Sequence, residues 1–208
     1  MVEHERAQAT LVTGPDGRRR CWWSGGSPEY VGYHDDEWGR PVVDDDRLFE
    51  RLSLEGFQSG LSWLTILRKR EGFRAAFADF RIDRVAAFDG RDVERLLGDE
   101  RIVRNRRKIE ATIENARRAR ELASFAPFVW SFAPRRPHAP KRRSDLAAST
   151  AESQALAREL KRLGFRFVGP TTVYALMQAC GLVNDHLAGC WVRPAVAKER
   201  AGALKELG

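Results

Sequence analysis

The 208-residue chain holds only three cysteines, too few for a disulfide framework. A reducing compartment, the cytoplasm, is therefore its expected location. No apolar run approaches the roughly 18 residues needed to cross a bilayer, and the first ten residues lack the apolar core of a signal peptide. Clean alternation of apolar and polar residues is absent, which argues against a half-buried sheet. Between Arg162 and Ala197 there is no lysine at all. Global disorder is excluded by a hydrophobic content of 43% beside 31% charged residues.

What is present in excess is positive charge. Thirty-six Lys and Arg stand against 29 acids, a formal net charge of +7. That suits a polyanion, although Arg-rich proteins that never touch nucleic acid are common. Acids gather at 35–37 and 44–46. Arg101, Arg104, Arg106, Arg107 and Lys108 run together, followed by Arg117, Arg118 and Arg120, and a second block holds Arg135, Arg136, Lys141, Arg142 and Arg143.

The patterning is helical. Asp44 to Asp46 can cap a helix whose residues Leu48, Phe49 and Leu52 share one face. Ser62 can cap a second carrying Trp63, Ile66 and Leu67. Asp83 and Asp92 open two short helical turns at 85–88 and 93–97. Ile102, Ile109, Ile113 and Ala116 place an apolar stripe on a long basic helix. Ser149 and Glu152 have capping-box spacing ahead of a helix that Gly164 stops. Residues 133–145, with three prolines and five basic residues, read as a surface loop. The expected architecture is all-α, in two helical lobes with both chain ends folded onto one of them. Residues 1–20 read as a flexible basic tail, 21–195 as the folded domain and 196–208 as a C-terminal tail.

Three constellations could carry chemistry. A helix, Gly164, the turn Val168-Gly169-Pro170 and a further helix over 171–180 have the pattern of a helix-hairpin-helix, about residues 156–181. Glycine there lets backbone approach a phosphate at a positive helix end, although an ordinary αα-hairpin reads the same way. Cys21 and His34 near one end, and His186 and Cys190 near the other, could form a charge-neutral, closed Cys2His2 zinc site, the latter pair sharing a helix face at i, i+4. Loose Cys and His are equally ordinary. Cys180 lies in an apolar helix as a small hydrophobe. Trp22, Trp23, Tyr30, Tyr33, Trp38 and Trp63 crowd into 42 residues, as in a stacking pocket or a satellite hydrophobic cluster. Glu55 sits at the edge of an apolar stripe, where a carboxylate needs a partner, a ligand or an Arg.

These segments together resemble the bacterial 3-methyladenine DNA glycosylase I family. The matching text includes Cys21-Trp-Trp, Tyr33-His-Asp-Asp-Glu-Trp-Gly-Arg-Pro41, Leu54-Glu-Gly-Phe-Gln-Ser-Gly-Leu-Ser-Trp63 and Arg101-Ile-Val-Arg-Asn-Arg-Arg-Lys-Ile109. It continues with Phe128-Val-Trp-Ser-Phe132, Gly164-Phe-Arg-Phe-Val-Gly-Pro-Thr-Thr-Val-Tyr174 and Met177-Gln-Ala-Cys-Gly-Leu-Val-Asn-Asp-His186. The likeness covers about residues 20–193. Trp22 stands where members often have Gly, Ser59 where Ala is usual, and 133–148 have no clear counterpart.

The resemblance implies a helix-hairpin-helix glycosylase fold with one structural zinc held by Cys21, His34, His186 and Cys190. It implies a flipped-base pocket lined by Tyr33, Trp63, Trp23, Tyr30 and Trp38, with Glu55 as the catalytic or base-recognising carboxylate. Phosphates would be held by Gly169, Pro170, Thr171, Arg104 and Lys108. The expected partner is double-stranded DNA containing 3-methyladenine, bound by a monomer without a membrane. Related hairpin glycosylases use an Asp in a Val-Asp-x-His context. Here Asn184 takes that place and Asp185 is one residue out of register. Two rivals are an enzyme of wider damage range or with lyase activity, and a zinc-stabilised DNA-binding module without catalysis.

Overall fold

Helices start where short polar side chains can cap them. Asp44 accepts from the Arg47 N–H at 2.9 Å, opening α2 (Asp45–Gln58), and Ser62 accepts from Thr65 at 3.2 Å, opening α3 (Trp63–Ala76). The computed structural model describes residues 11–136 and 139–207. They divide into two compact units. One takes the described residues up to Pro41, Ala133–Ala148 and those from Met177 onward; the other takes Val42–Phe132 and Ser149–Leu176. Both described chain ends thus belong to one unit, as the sequence suggested.

The second unit is helical throughout. After α3 come α4 (Ile82–Ala86), α5 (Gly90–Gly98), α6 (Arg106–Arg120), α7 (Phe125–Trp130), α8 (Ala151–Arg162) and α9 (Pro170–Ala179), whose last residues pass into the first unit. Asp89 rather than Asp92 is the N-cap of α5, with Asp92 closing the capping box. Thr150 and Ser153, rather than Ser149 and Glu152, do the same for α8. The core is phenylalanine-rich: Phe57 lies 4.6 Å from Phe73 and 5.8 Å from Phe77, and Phe80 stacks on Phe77 at 5.4 Å. The Asp45 carboxylate, at the start of α2, accepts from the N–H groups of Phe125 and Ala126 at the start of α7.

The first unit departs from the all-α expectation. Leu11–Thr13 (β1) and Arg19–Cys21 (β2) pair antiparallel with Leu11 opposite Cys21. Part of the stretch read as a flexible tail is therefore a hairpin. Its strands are three residues each, too short to show alternation, and the turn is set by Asp16, which accepts from Arg18 N–H and takes the Arg20 guanidinium at 2.8 and 2.6 Å. Residues 1–10 of that expected tail lie outside the described residues. The hairpin leads through a 3₁₀ turn at Trp22–Gly26 into α1 (Pro28–Asp36). At the other end, residues expected as a tail form α10 (Arg193–Leu207), which buries Val196, Arg200 and Ala203. No helix of the described residues is long and apolar enough to cross a membrane.

Candidate functional site

Four predicted ligands converge inside the first unit. Cys21 ends β2, His34 lies in the last turn of α1, and His186 and Cys190 stand on the irregular segment between α9 and α10. That segment is a turn, not the helix expected from the i, i+4 spacing; Cys190 N–H donates to Leu187 C=O at 2.9 Å. All four residues are buried, and their ligand atoms lie within 4.8 Å of one another.

The hydrogen bonds fix both imidazole tautomers. His34 Nδ1 is 2.7 Å from the Asp35 carboxylate, so it carries the proton, while Nε2 accepts from the Cys21 backbone N–H and faces Cys190 Sγ at 3.4 Å. His186 Nε2 is 2.9 Å from the Trp38 carbonyl, which can only accept, so Nδ1 presents its lone pair to Cys190 and Cys21 at 3.5 and 3.9 Å. A hydrogen bond from the Cys21 thiol, working against the cost of burial, pulls Cys190 below the usual thiol range. The same bond, joined by burial, pushes Cys21 up. A bound dication would favour the thiolate form of both sulfurs. Two lone-pair nitrogens and two sulfurs are a donor set that could hold a metal ion.

A second shell surrounds this set. Burial pushes Asp35 up, but hydrogen bonds from Arg20, His34 and the Trp191 indole outweigh it and hold the carboxyl below its ordinary range. Sequence reasoning missed Asp35, Arg20 and Trp191. An acid directly after a candidate ligand histidine was the available signal.

The aromatic residues of the same unit cluster beside the ligands. Trp23 lies 6.1 Å from Tyr30, 6.2 Å from Tyr33, 5.0 Å from Trp38 and 5.2 Å from His34, mostly edge to face. Trp38 is 4.7 Å from His186. One segment, from Cys21 to Trp38, therefore supplies two metal-site candidates and four clustered aromatic rings.

In the second unit, Glu55 lies in the last turn of α2 and is 5% exposed. Burial raises its pKa to about 8, with the charge of Arg51 pulling the other way. At neutral pH this carboxyl is largely protonated in the absence of a cationic ligand. Trp63, half-buried, opens α3 five residues after α2 ends.

The hairpin between α8 and α9 is held from the side. Asn115 of α6 donates to Arg166 C=O at 3.0 Å and accepts from Arg166 N–H at 2.7 Å, a two-way clamp on the turn that the sequence reading did not foresee. Gly169 is the N-cap of α9: its carbonyl accepts from Val173 at 2.9 Å, and Pro170 takes the first helical position. A Cβ placed on Gly169 would meet no protein atom within 4 Å. Folding does not require glycine there.

Of the expected phosphate contacts, Thr171 is exposed and Arg104 makes only a surface ion pair with Glu100 at 3.5 Å. Lys108 is a correction. It is 8% exposed, and its ammonium donates to the carbonyls of Phe57 and Ser59 at 2.8 and 2.5 Å, closing the C-terminus of α2. Its charge is spent inside the protein. The weak base candidate Asp185 is buried and accepts from Gln178 at 2.8 Å.

The methyladenine glycosylase family profile matches residues 22–193. DNA-3-methyladenine glycosylase 1 of Escherichia coli is 48% identical over 181 residues, 84% of this chain and 97% of the relative. The Haemophilus influenzae DNA-3-methyladenine glycosylase is 42% identical over 178 residues, 82% of this chain and 96% of that protein. Among solved structures, one of 3-methyladenine DNA glycosylase I shares 49% identity at a TM-score of 0.81, covering 84% of this chain and all of that one. A Staphylococcus aureus structure describing 3-methyladenine recognition gives 36% and 0.78, covering 83% and 95%. Matched in this way across all but its ends, the chain belongs to the methyladenine glycosylase family.

Proposed function

We propose that this chain hydrolyses the N-glycosidic bond of 3-methyladenine in alkylated double-stranded DNA, leaving the strand uncut. The observation that carries the reading is Glu55, a buried carboxyl in a chain whose relatives are named for 3-methyladenine. Methylation at N3 makes the nucleobase cationic and its glycosidic bond labile, so the protein has modest chemistry to supply. Glu55 offers a counter-charge and hydrogen-bond acceptor that a cationic adenine would draw into its ionised form. Trp63, in the same unit as Glu55, offers a π face to the same ring. Whether Glu55 also assists water at the sugar carbon is decided by kcat set against base affinity in Glu55→Gln.

The α8–α9 segment is assigned as the phosphate-gripping hairpin. Open space at Gly169, beside the unpaired N–H groups that begin α9, supports this, with Thr171 and Arg104 in reach of solvent. Cys21, His34, His186 and Cys190 would hold one zinc ion. When bound, zinc supplies a structural cross-link between β2, α1 and the segment before α10, and no open position for chemistry.

Incubation of the purified protein with methylated duplex DNA, followed by chromatography of the released bases, tests the assignment. Release of 3-methyladenine far ahead of 7-methylguanine is expected. Release of both at similar rates would show a general alkylpurine enzyme, and release of neither a non-catalytic module.

A further inference from the structure

The basic surface of this molecule is unevenly neutralised. Arg95, Arg101, Arg106, Arg117, Arg118 and Arg162 each lie within ion-pair distance of a carboxylate, most of them on their own helix. The 133–145 loop concentrates cations instead: five stand against one acid, Asp145, and Arg135, Arg136, Lys141, Arg142 and Arg143 are all exposed with no ion pair among the described residues.

The loop is nevertheless held in place. Arg200 of α10 donates to Pro134 C=O at 2.6 Å, Ala188 N–H donates to Pro140 C=O at 2.8 Å, and Pro140 is buried. Asp145 accepts from the backbone N–H groups of both Lys141 and Arg142 at 2.9 Å, fixing the turn that carries the three consecutive cations. The Arg143 guanidinium lies over the Trp22 ring, 5.4 Å from its centroid, and Trp22 directly precedes Trp23 of the aromatic cluster. A solvated charge run on a mobile loop would show none of these ties. An anchored turn has little ordering entropy left to lose when a ligand arrives.

We propose that this loop is a DNA-backbone contact, in which Lys141, Arg142 and Arg143 take phosphates of the duplex. The inference rests on the glycosylase reading. Guanidinium forks match phosphate oxygens, and such contacts add affinity without reading sequence. The Trp22 face supports the flat side of Arg143 and leaves its N–H edge open.

The test is the salt dependence of binding to a short fluorescent duplex carrying a tetrahydrofuran abasic-site analogue. Each phosphate contact removed flattens the slope of log K against log salt by about 0.9. The Lys141→Ser, Arg142→Ser, Arg143→Ser variant should lose about 2 to 3 from that slope. It should keep the parent's melting temperature and its affinity for free 3-methyladenine. Arg142→Lys with Arg143→Lys should retain the parental slope. If the parent excises 3-methyladenine and the triple variant keeps the parental slope, the loop proposal fails alone. If the parent neither excises nor binds the free base, the glycosylase reading fails.

Discussion

Glu55 joins two demands at one side chain. In the unfolded chain it titrates near 4.5, but burial raises it to about 8 in the folded protein. Between those values the folded state keeps a proton that the unfolded state gives up. Stability is undiminished below about pH 4.5 and declines as pH rises toward 8, by on the order of a few kcal/mol. Glu55→Gln removes that loss, so its gain in melting temperature should be larger at pH 8 than at pH 5, while affinity for free 3-methyladenine falls. Parallel melting curves for parent and variant across that range would contradict the buried-carboxyl assignment. Gly169 is the complementary case. With an ordinary φ and open space at its Cβ, Gly169→Ala should shift stability by less than about 1 kcal/mol, yet weaken duplex binding by about tenfold by obstructing a phosphate. Equal weakening of folding and binding would assign the glycine to the fold instead.

At the scale of elements, the end of α2 shows why a charge in the sequence need not be a charge on the surface. Lys108 stands among arginines in a basic run, and composition alone points it at phosphate. The structure turns it inward because α2 ends with carbonyls that α6 can reach, a long-range relation that no local pattern records. Lys108→Met should cost about 2–3 kcal/mol, as expected for charge-assisted bonds to buried carbonyls, and disturb the short link between Glu55 and Trp63. Denaturant melts with base binding measure both; an unchanged melt would mean the bonds contribute little. Caps and apolar stripes were legible, since Asp44, Ser62 and the Ile109, Ile113, Ala116 stripe act within one helix. The Cys2His2 set was legible as residue types but not as geometry. His186 and Cys190 meet through a turn, and the Trp38 carbonyl orients the His186 imidazole from far along the chain. The 11–21 hairpin escaped because three-residue strands carry no period. Metal analysis of untagged protein should find one zinc per chain. Chelation, or Cys190→Ala with His186→Ala, should lower the melting temperature sharply, since metal-binding energy is folding energy in such a site. Full folding of the double variant, or an absence of zinc, would remove the metal from the account.

For the molecule as a whole, the distribution of amines decides whether the reaction stops at base release. A glycosylase that also cuts the strand needs a Lys held near the sugar carbon to form a Schiff base. The chain has six lysines. None falls between Arg162 and Ala197, which contains the hairpin turn and all of α9, at whose start Pro170 and Thr171 stand. Lys108 is bound to two carbonyls, and Lys69 donates to Glu100 C=O at 2.7 Å. Lys161 is exposed at the end of α8, before the turn, while Lys198 and Lys205 are exposed on α10 and Lys141 on the basic loop. A hydroxyl cannot form an imine, so Thr171 is no substitute. The enzyme is therefore expected to be monofunctional, handing on an intact strand with an abasic site. Borohydride trapping on methylated duplex DNA measures this directly. Base release with strand breakage only after alkali is the expected result, whereas a covalent protein–DNA band would show that one of the exposed amines, Lys141 or Lys161 first among them, reaches the sugar after all.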